Sequence, residues 1–428
     1  MIHNAATGHF GRLAESADII ERLVQVNLTL PLALTHGLID RCSKVAFVSS
    51  VASVFPCPDY SVYSATKAAL DGFARSLAIE EKDRVAVQVI HPGATRTGMH
   101  EKMGISKETM DWTKFTSART VAEKMLHVID GNRSRRTIGA GNHVVRTLFD
   151  KFPLLDRAMK SKAGERFTVE AAAENRTCVI TGAADGIGRA LARRYAGEGY
   201  KVVGIDFDPE RSERTRTEIE QEGGQAEFIQ ADLSKRTDLD RVLETLAAGP
   251  GIDVFIHNAG ISSAGRFRNA SWNDLEAVLR INLLAPLLLT HGVIQRGTMR
   301  RNGSLIYLSS LSKYVGYPGA AVYAATKDGL ASYARSLRAA LHAELNVLTV
   351  FPGPTRTEHA RRYSPDNSKE SNRMAPETLA EKIVQSQRAV RAVLVPGGGN
   401  KLCATLGHWH PGLMEWAMKK AILDKLPD

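Results

Sequence analysis

"TGAADGIGRA", residues 181–190, packs three glycines into a stretch that follows the apolar, β-branched run "TCVIT". Such a run reads as a buried parallel strand. The residues after it, "IGRALARRYAGEG", carry helical periodicity and end at a glycine. Gly182, Gly186 and Gly188 therefore sit at a strand-to-helix turn. Glycine there permits a tight turn and the close approach of a pyrophosphate to a helix N-terminus. A lone glycine triplet is a weak signal, because an ordinary strand–helix turn looks the same.

The surroundings strengthen it. "KVVGIDFD", "AEFIQADLS", "IDVFIHNAG", "GSLIYLSS" and "LNVLTVFPG" read as further short strands, each followed by polar residues. Six strands alternating with helices predict an α/β fold, a Rossmann-like doubly wound parallel sheet with ligands at the strand C-terminal ends. Asp206 ends the second strand, at the distance expected of a carboxylate that holds the adenosine ribose hydroxyls. Asp185 lies inside the glycine loop and equally suits a solvated turn. Two carboxylates repel a 2′-phosphate, and no Arg or Lys follows Asp206 directly. This pattern predicts NAD in preference to NADP.

Working outward, the chain repeats itself. "IHNAATG" (2–8) matches "IHNAGIS" (256–262), and "VNLTLPLALTHGLI" (26–39) matches "INLLAPLLLTHGVI" (281–294). "VYSATKAALDGFARSLA" ends at 78 and "VYAATKDGLASYARSLR" at 338; "HPGATRT" (91–97) pairs with "FPGPTRT" (351–357). The spacing stays between 254 and 260 residues, the mark of a tandem duplication. Residues 177–254 have no counterpart, so one complete copy is preceded by a partial copy without a glycine loop. The expected domains are 1–165 and 166–428, with a polar linker at about 160–176. The strand before the first "HNAA" is cut to "MIHNAAT". That favours a coding sequence continuing upstream of Met1 over a lost front and a remnant partner surface, because a bare half-strand exposes a sheet edge.

Composition bounds the function classes. Hydrophobic residues make up 43% and charged residues 24% of 428, ordinary for a soluble globular chain. Four cysteines without metal-type spacing predict a reduced, cytoplasmic protein and no metal site. The N-terminus lacks the apolar core of a signal peptide. The apolar runs at 27–39 and 281–294 are too short to span a bilayer. The net charge of +10 is dispersed, apart from "RSRR" at 133–136, with no aromatic-rich RNA motif. A basic surface around an anionic cofactor explains it better than nucleic acid. The amphipathic, basic segment 410–426 suits a helix packed on its own protein better than one resting on a membrane.

A second signal is Tyr323 and Lys327, four apart and on one helix face. An ammonium beside a phenol favours phenolate, and a tyrosine tuned this way exchanges a proton with an alcohol oxygen. Ser310 ends the strand thirteen residues upstream, where its hydroxyl can meet the phenol. Taken in order, "TGAADGIG" (181–188), Asp232 in "ADL", "HNAG" (257–260), Asn282, Ser310, "YAATK" (323–327) and "PGPTRT" (352–357) resemble the short-chain dehydrogenase/reductase family over about 175–428.

The resemblance implies roles. Tyr323 is the general acid/base; Lys327 lowers its pKa and contacts the nicotinamide ribose; Ser310 bonds the substrate oxygen; Asn282 positions a water in a relay through Lys327. Gly182, Asp185, Gly186, Ile187 and Gly188 form the cofactor loop with Asp206. Asp232 contacts adenine, Asn258 and Gly260 shape the cleft, and Thr357 reaches the carboxamide. His257 departs from the family, which often has Asn there. The implied reaction interconverts a secondary alcohol and a ketone, with 355–376 as the variable lid. The first copy keeps Asn27, Ser50, Tyr63, Lys67 and Thr97 at matching spacing. Helices near 17–40, 60–81, 272–297 and 320–344 are expected to pack the copies as an internal pseudo-dimer, with a homo-oligomer open as a further possibility. The other class of reading is a fold retained for binding or regulation without turnover.

Overall fold

The computed structural model describes residues 1–11, 16–103, 111, 113, 115–131, 134–151, 176–364 and 366–426. The expected domain boundary at 165/166 falls outside them. Among the described residues thirteen strands run in chain order. The first copy contributes β1 (Ile2–His3), β2 (Lys44–Val48), β3 (Ala86–His91), β4 (Thr95–Arg96), β5 (Thr116–Ser117) and β6 (Arg135–Thr137). The second contributes β7 (Thr177–Thr181), β8 (Lys201–Asp206), β9 (Gln225–Gln230), β10 (Ile252–His257), β11 (Met299–Leu308), β12 (Asn346–Val350) and β13 (Val393–Leu394).

The second copy is a seven-stranded, wholly parallel sheet in the order β13-β12-β11-β10-β7-β8-β9. The chain reverses direction across the sheet between β7 and β10, which opens a crevice at their C-terminal ends. Six of the strands are the ones legible in the sequence. The seventh, β13, has two residues and is held through Thr349–Val393 and Val350–Leu394 pairing. The first copy forms a parallel sheet in the order β1-β2-β3-β6. These strands are equivalent to β10, β11, β12 and β13; among the described residues no strand of the first copy is equivalent to β7–β9.

The copies share one apolar core. Leu28, Phe73 and Leu77 of the first belong to the same buried cluster as Phe255, Leu283 and Leu337 of the second. Helices Ser61–Glu80 and Ala321–Ala340 lie against each other along their lengths. Small side chains permit this: a Cβ on Gly329 would stand 3.0 Å from the Ala65 carbonyl oxygen. Two hydrogen bonds express the pseudo-two-fold relation. Ser76 Oγ accepts from Tyr317 N at 3.1 Å, and Ser336 Oγ, 260 residues on, accepts from Cys57 N at 3.2 Å. Reciprocal contacts of this kind mark an isologous interface. Helix Ala17–Val24 also touches Ala285–Gln295 across the seam.

Two expectations change. Residues Trp272–Gln295 run as one 24-residue helical stretch, long and apolar enough by length and composition to cross a membrane, whereas the apolar run alone is shorter. Most of that stretch is buried in the fold. The C-terminal segment forms helix Pro411–Ala421, which rests on Ser312–Val315 but buries no residue; Leu413 and Trp416 stay more than half exposed. Its packing is therefore partial.

Candidate active site

Lys327 is buried on helix Ala321–Ala340, and its ammonium donates to the Leu308 carbonyl at the end of β11 at 2.9 Å. Ser309 Oγ donates to the Lys327 carbonyl at 2.8 Å, tying strand end to helix. One turn earlier on the same face, Tyr323 lies with its ring centroid 5.6 Å from Lys327 Nζ. Ser310 opens the turn after β11 and reaches the phenol, as the helix-plus-strand-end geometry requires. The structure thus brings Ser310, Tyr323 and Lys327 together.

Burial, not the lysine, sets the phenol. It pushes Tyr323 up to about 12; Tyr317 adds to the rise and the hydrogen bond with Ser310 opposes it. The sequence reading expects the ammonium to bring the phenol down. Instead, burial also weakens the ammonium, drawing Lys327 down to about 8. The desolvation cost of charge dominates both groups.

Asn282 sits in a single π-helical turn, Arg280–Leu284, inside the long helix. Its amide accepts from Ile261 N at 2.9 Å and donates to Ile261 O at 2.8 Å and to Thr326 Oγ1 at 3.3 Å. It clamps the loop after β10 to the Tyr–Lys helix. Gly260 lies beneath: a Cβ there would stand 3.2 Å from Lys327 Nζ and 3.3 Å from Asn282 Oδ1. A bare glycine keeps that space open.

The glycine loop joins the same edge. Gly182 (φ +65°) and Gly186 (φ +53°) occupy left-handed backbone. At Gly188 a Cβ would fall 1.8 Å from the Gly182 carbonyl oxygen, so no side chain fits. Asn258 braces the turn, donating to Thr181 O and Gly182 O at 3.0 Å each. Asp206 accepts from Ala184 N at 2.9 Å and Asp208 N at 3.2 Å, with its carboxyl pushed up by burial. Asp185 is the N-cap of helix Gly186–Ala196 yet makes no side-chain cap. Ile187 packs, partly buried, against an apolar cluster of the second copy that includes Leu191 and Val350. Asp232 closes its own turn by accepting from Ser234 N and Oγ at 3.0 and 2.7 Å. Thr357 caps helix Glu358–Tyr363 through Ala360 N, its methyl close to Gly186.

Two residues escaped the sequence reading. Arg211, five positions after Asp206, returns from the next helix to meet Asp185 and Asp208 at 3.1 Å each and Glu358 at 3.2 Å. His359, on the helix after Thr357, lies close enough to Lys327 to feel its charge; burial chiefly, then that ammonium, hold the imidazole down at about 4. His257 is structural. Its Nε2 shares a hydrogen bond with Thr290 Oγ1 at 2.9 Å, and its ring stacks on Tyr307.

The first copy rebuilds the acid–base half. Lys67 donates to Val48 O at 2.9 Å, and Asn27 holds Thr7 N and O at 2.8 and 2.9 Å and Thr66 Oγ1 at 3.2 Å from its own π turn. Tyr63 stands at about 12 and Lys67 at about 8, burial being the main cause in each.

The chain is similar to known proteins. Among curated proteins, the chain is 29% identical over 257 residues to an uncharacterized oxidoreductase of Bacillus subtilis, covering 58% of this chain and 72% of that one. It is 31% identical over 182 residues to a 3-oxoacyl-[acyl-carrier-protein] reductase of Thermotoga maritima, covering 42% and 74%. Among solved structures, a short-chain dehydrogenase from Sphingobium yanoikuyae in complex with NADPH is 27% identical with a TM-score of 0.49, covering 56% of this chain and 95% of that one. The sequence model of the short chain dehydrogenase family matches residues 1–108 and 176–368, one segment in each copy and more than half of the chain together, and the protein belongs to that family.

Proposed function

We propose that this chain is a nicotinamide-dependent oxidoreductase that interconverts a secondary alcohol and a ketone at one site, in the second copy. The observation that carries the reading is the meeting of Ser310, Tyr323 and Lys327 with a glycine loop at a single sheet edge. The residues suit the cofactor. Gly186 and Gly188 leave backbone for a pyrophosphate at an uncapped helix start, Asp206 lies where a ribose is held, and Gly260 leaves room above Lys327. When bound, the cofactor supplies or accepts the hydride.

The protein handles the proton. In the reducing direction Tyr323 Oη gives its proton to the carbonyl oxygen while Ser310 Oγ holds that oxygen; oxidation returns the proton to the phenolate. Lys327, buried beside the ring, stabilises the phenolate as it forms. Asn282 Oδ1 and Lys327 Nζ both border the space left by Gly260, where a water can be held for proton exchange with solvent.

NAD is the preferred form on this reading. Arg211 is a basic side chain at the loop rim, and three carboxylates already surround it. A 2′-phosphate would have to displace them beside Asp206. The test is turnover on a panel of secondary alcohols and ketones with each cofactor. Oxidation or reduction favouring NAD(H) is expected. No turnover on any member, with cofactor bound, would instead point to a binding protein.

A further inference from the structure

A cavity of about 1110 Å³ opens on the seam between the copies, away from Ser310, Tyr323 and the glycine loop. Its walls come in equivalent pairs 260 residues apart: Ala68 with Asp328, Asp71 with Ala331, Arg75 with Arg335. It therefore straddles the pseudo-two-fold axis. In a dimer of identical chains every wall would appear twice. Here the copies have diverged, so each acid belongs to one side only.

The walls are strongly basic. Among the described residues, Arg75, Arg135, Arg146, Arg335, Arg338 and Arg391, with Lys313, face three carboxylates, seven cations against three anions. Two of those carboxylates are engaged within the wall. Asp328 takes Arg75 at 2.5 Å. Asp71 is bonded by His91 Nε2 at 2.9 Å, and the other ring nitrogen of that histidine meets Arg146 Nη1 at 2.9 Å. Arg135 and Arg391 are exposed at the cavity. Phe149 and Tyr314 add aromatic surface, Tyr314 in edge contact at 5.3 Å with the buried Phe351. Asp328 is more than nine-tenths buried, yet its Oδ1 has no hydrogen-bond partner. A buried acceptor without a donor calls for one from outside.

We propose that this cavity binds a nucleotide-like organic phosphate. The exposed Arg135 and Arg391 can meet phosphate oxygens in bidentate geometry, while Arg75, Arg146, Arg335 and Arg338 are bonded within the walls and keep the cavity positive. The aromatic walls offer stacking for a ring. A ligand hydroxyl or amino group donates to Asp328 Oδ1. The volume suits a ligand of that size. The site differs from the cofactor site in position and in charge: arginines here, carboxylates there.

The test uses the full chain and ADP in a calorimetric titration, with NADH held just above the level that fills the cofactor site. ADP binding that persists under NADH is expected, at one per chain. Arg135→Glu with Arg391→Glu should weaken it by about tenfold or more, and the paired glutamine changes by less. Both residues are exposed, and an unchanged melting curve checks the fold. Inorganic phosphate alone should bind about tenfold more weakly than ADP. Loss of all ADP binding under NADH overturns the proposal. So does NADH-resistant binding that the charge reversals leave unchanged, or phosphate binding as tight as that of ADP. Should NADH itself not bind, ADP binding lost on charge reversal still supports the cavity, and ADP binding unaffected by it refutes it.

Discussion

The two copies carry the same acid–base machinery and differ in what surrounds it. In each, a lysine ammonium bonds a strand-end carbonyl at 2.9 Å, an asparagine in a π turn clamps the loop ahead of it, and burial holds the tyrosine at about 12. Only the second has β7–β9, the glycine loop, Asp206 and Asp232. The comparison teaches that the tyrosine–lysine geometry is local. It needs one helix, one strand end and the loop that Asn27 or Asn282 fastens, and it persists without the cofactor half. Geometry of the proton donor is therefore poor evidence of turnover by itself.

The sharpest way to break the comparison is a matched pair of changes. Tyr323→Phe is expected to lower turnover by about 10³-fold, within the range for a general acid–base group, while sparing cofactor binding. Tyr63→Phe should leave turnover within about twofold of wild type, since the first copy lacks a cofactor loop. Steady-state kinetics on any accepted substrate decides it. Equal losses would make both copies catalytic.

A pH measurement sharpens the seam. Glu80 of the first copy is buried and accepts from Phe267 N and Gly319 N of the second at 2.7 Å each. Burial raises its carboxyl from the ordinary glutamate value of 4.5 to about 7, despite those bonds and Arg266. Between pH 4.5 and 7 the unfolded chain has released a proton that the folded chain keeps. Stability should then fall as pH rises through that window, by up to about 1.4 kcal/mol per pH unit from this group. Glu80→Gln should flatten that part of the slope in urea unfolding. An unchanged slope would show that Glu80 titrates normally.

The smallest effect concerns the reciprocal serines. Ser76→Ala and Ser336→Ala each remove one seam hydrogen bond and should each cost about 1 kcal/mol. Only Ser76→Ala should also depress kcat, because its partner Tyr317 lies in the loop leading to Tyr323. Identical kinetics would show that the loop is held without the first copy.

Much of this was legible in the sequence, for physical reasons. Six strands were visible because buried parallel strands are continuous apolar runs. The repeat was visible because its spacing is nearly constant. What stayed hidden depends on the fold. The two-residue β13 has no periodicity to read. Arg211 stands five residues after Asp206 and reaches the loop only because a helix carries it back. The π turns at Asn27 and Asn282 leave no compositional trace. The neighbouring lysine predicts a lowered tyrosine pKa, whereas burial decides it. The seam cavity joins residues 260 apart in chain order.

The central claim is one cofactor site per chain, in the second copy. Calorimetric titration of the full chain with NADH tests it most directly, with Gly188→Ala as the control, since a methyl there collides with the Gly182 carbonyl. The account predicts one NADH per chain, with binding weakened by about tenfold or more in the variant. Two equivalent sites per chain, or binding that Gly188→Ala leaves intact, would contradict it.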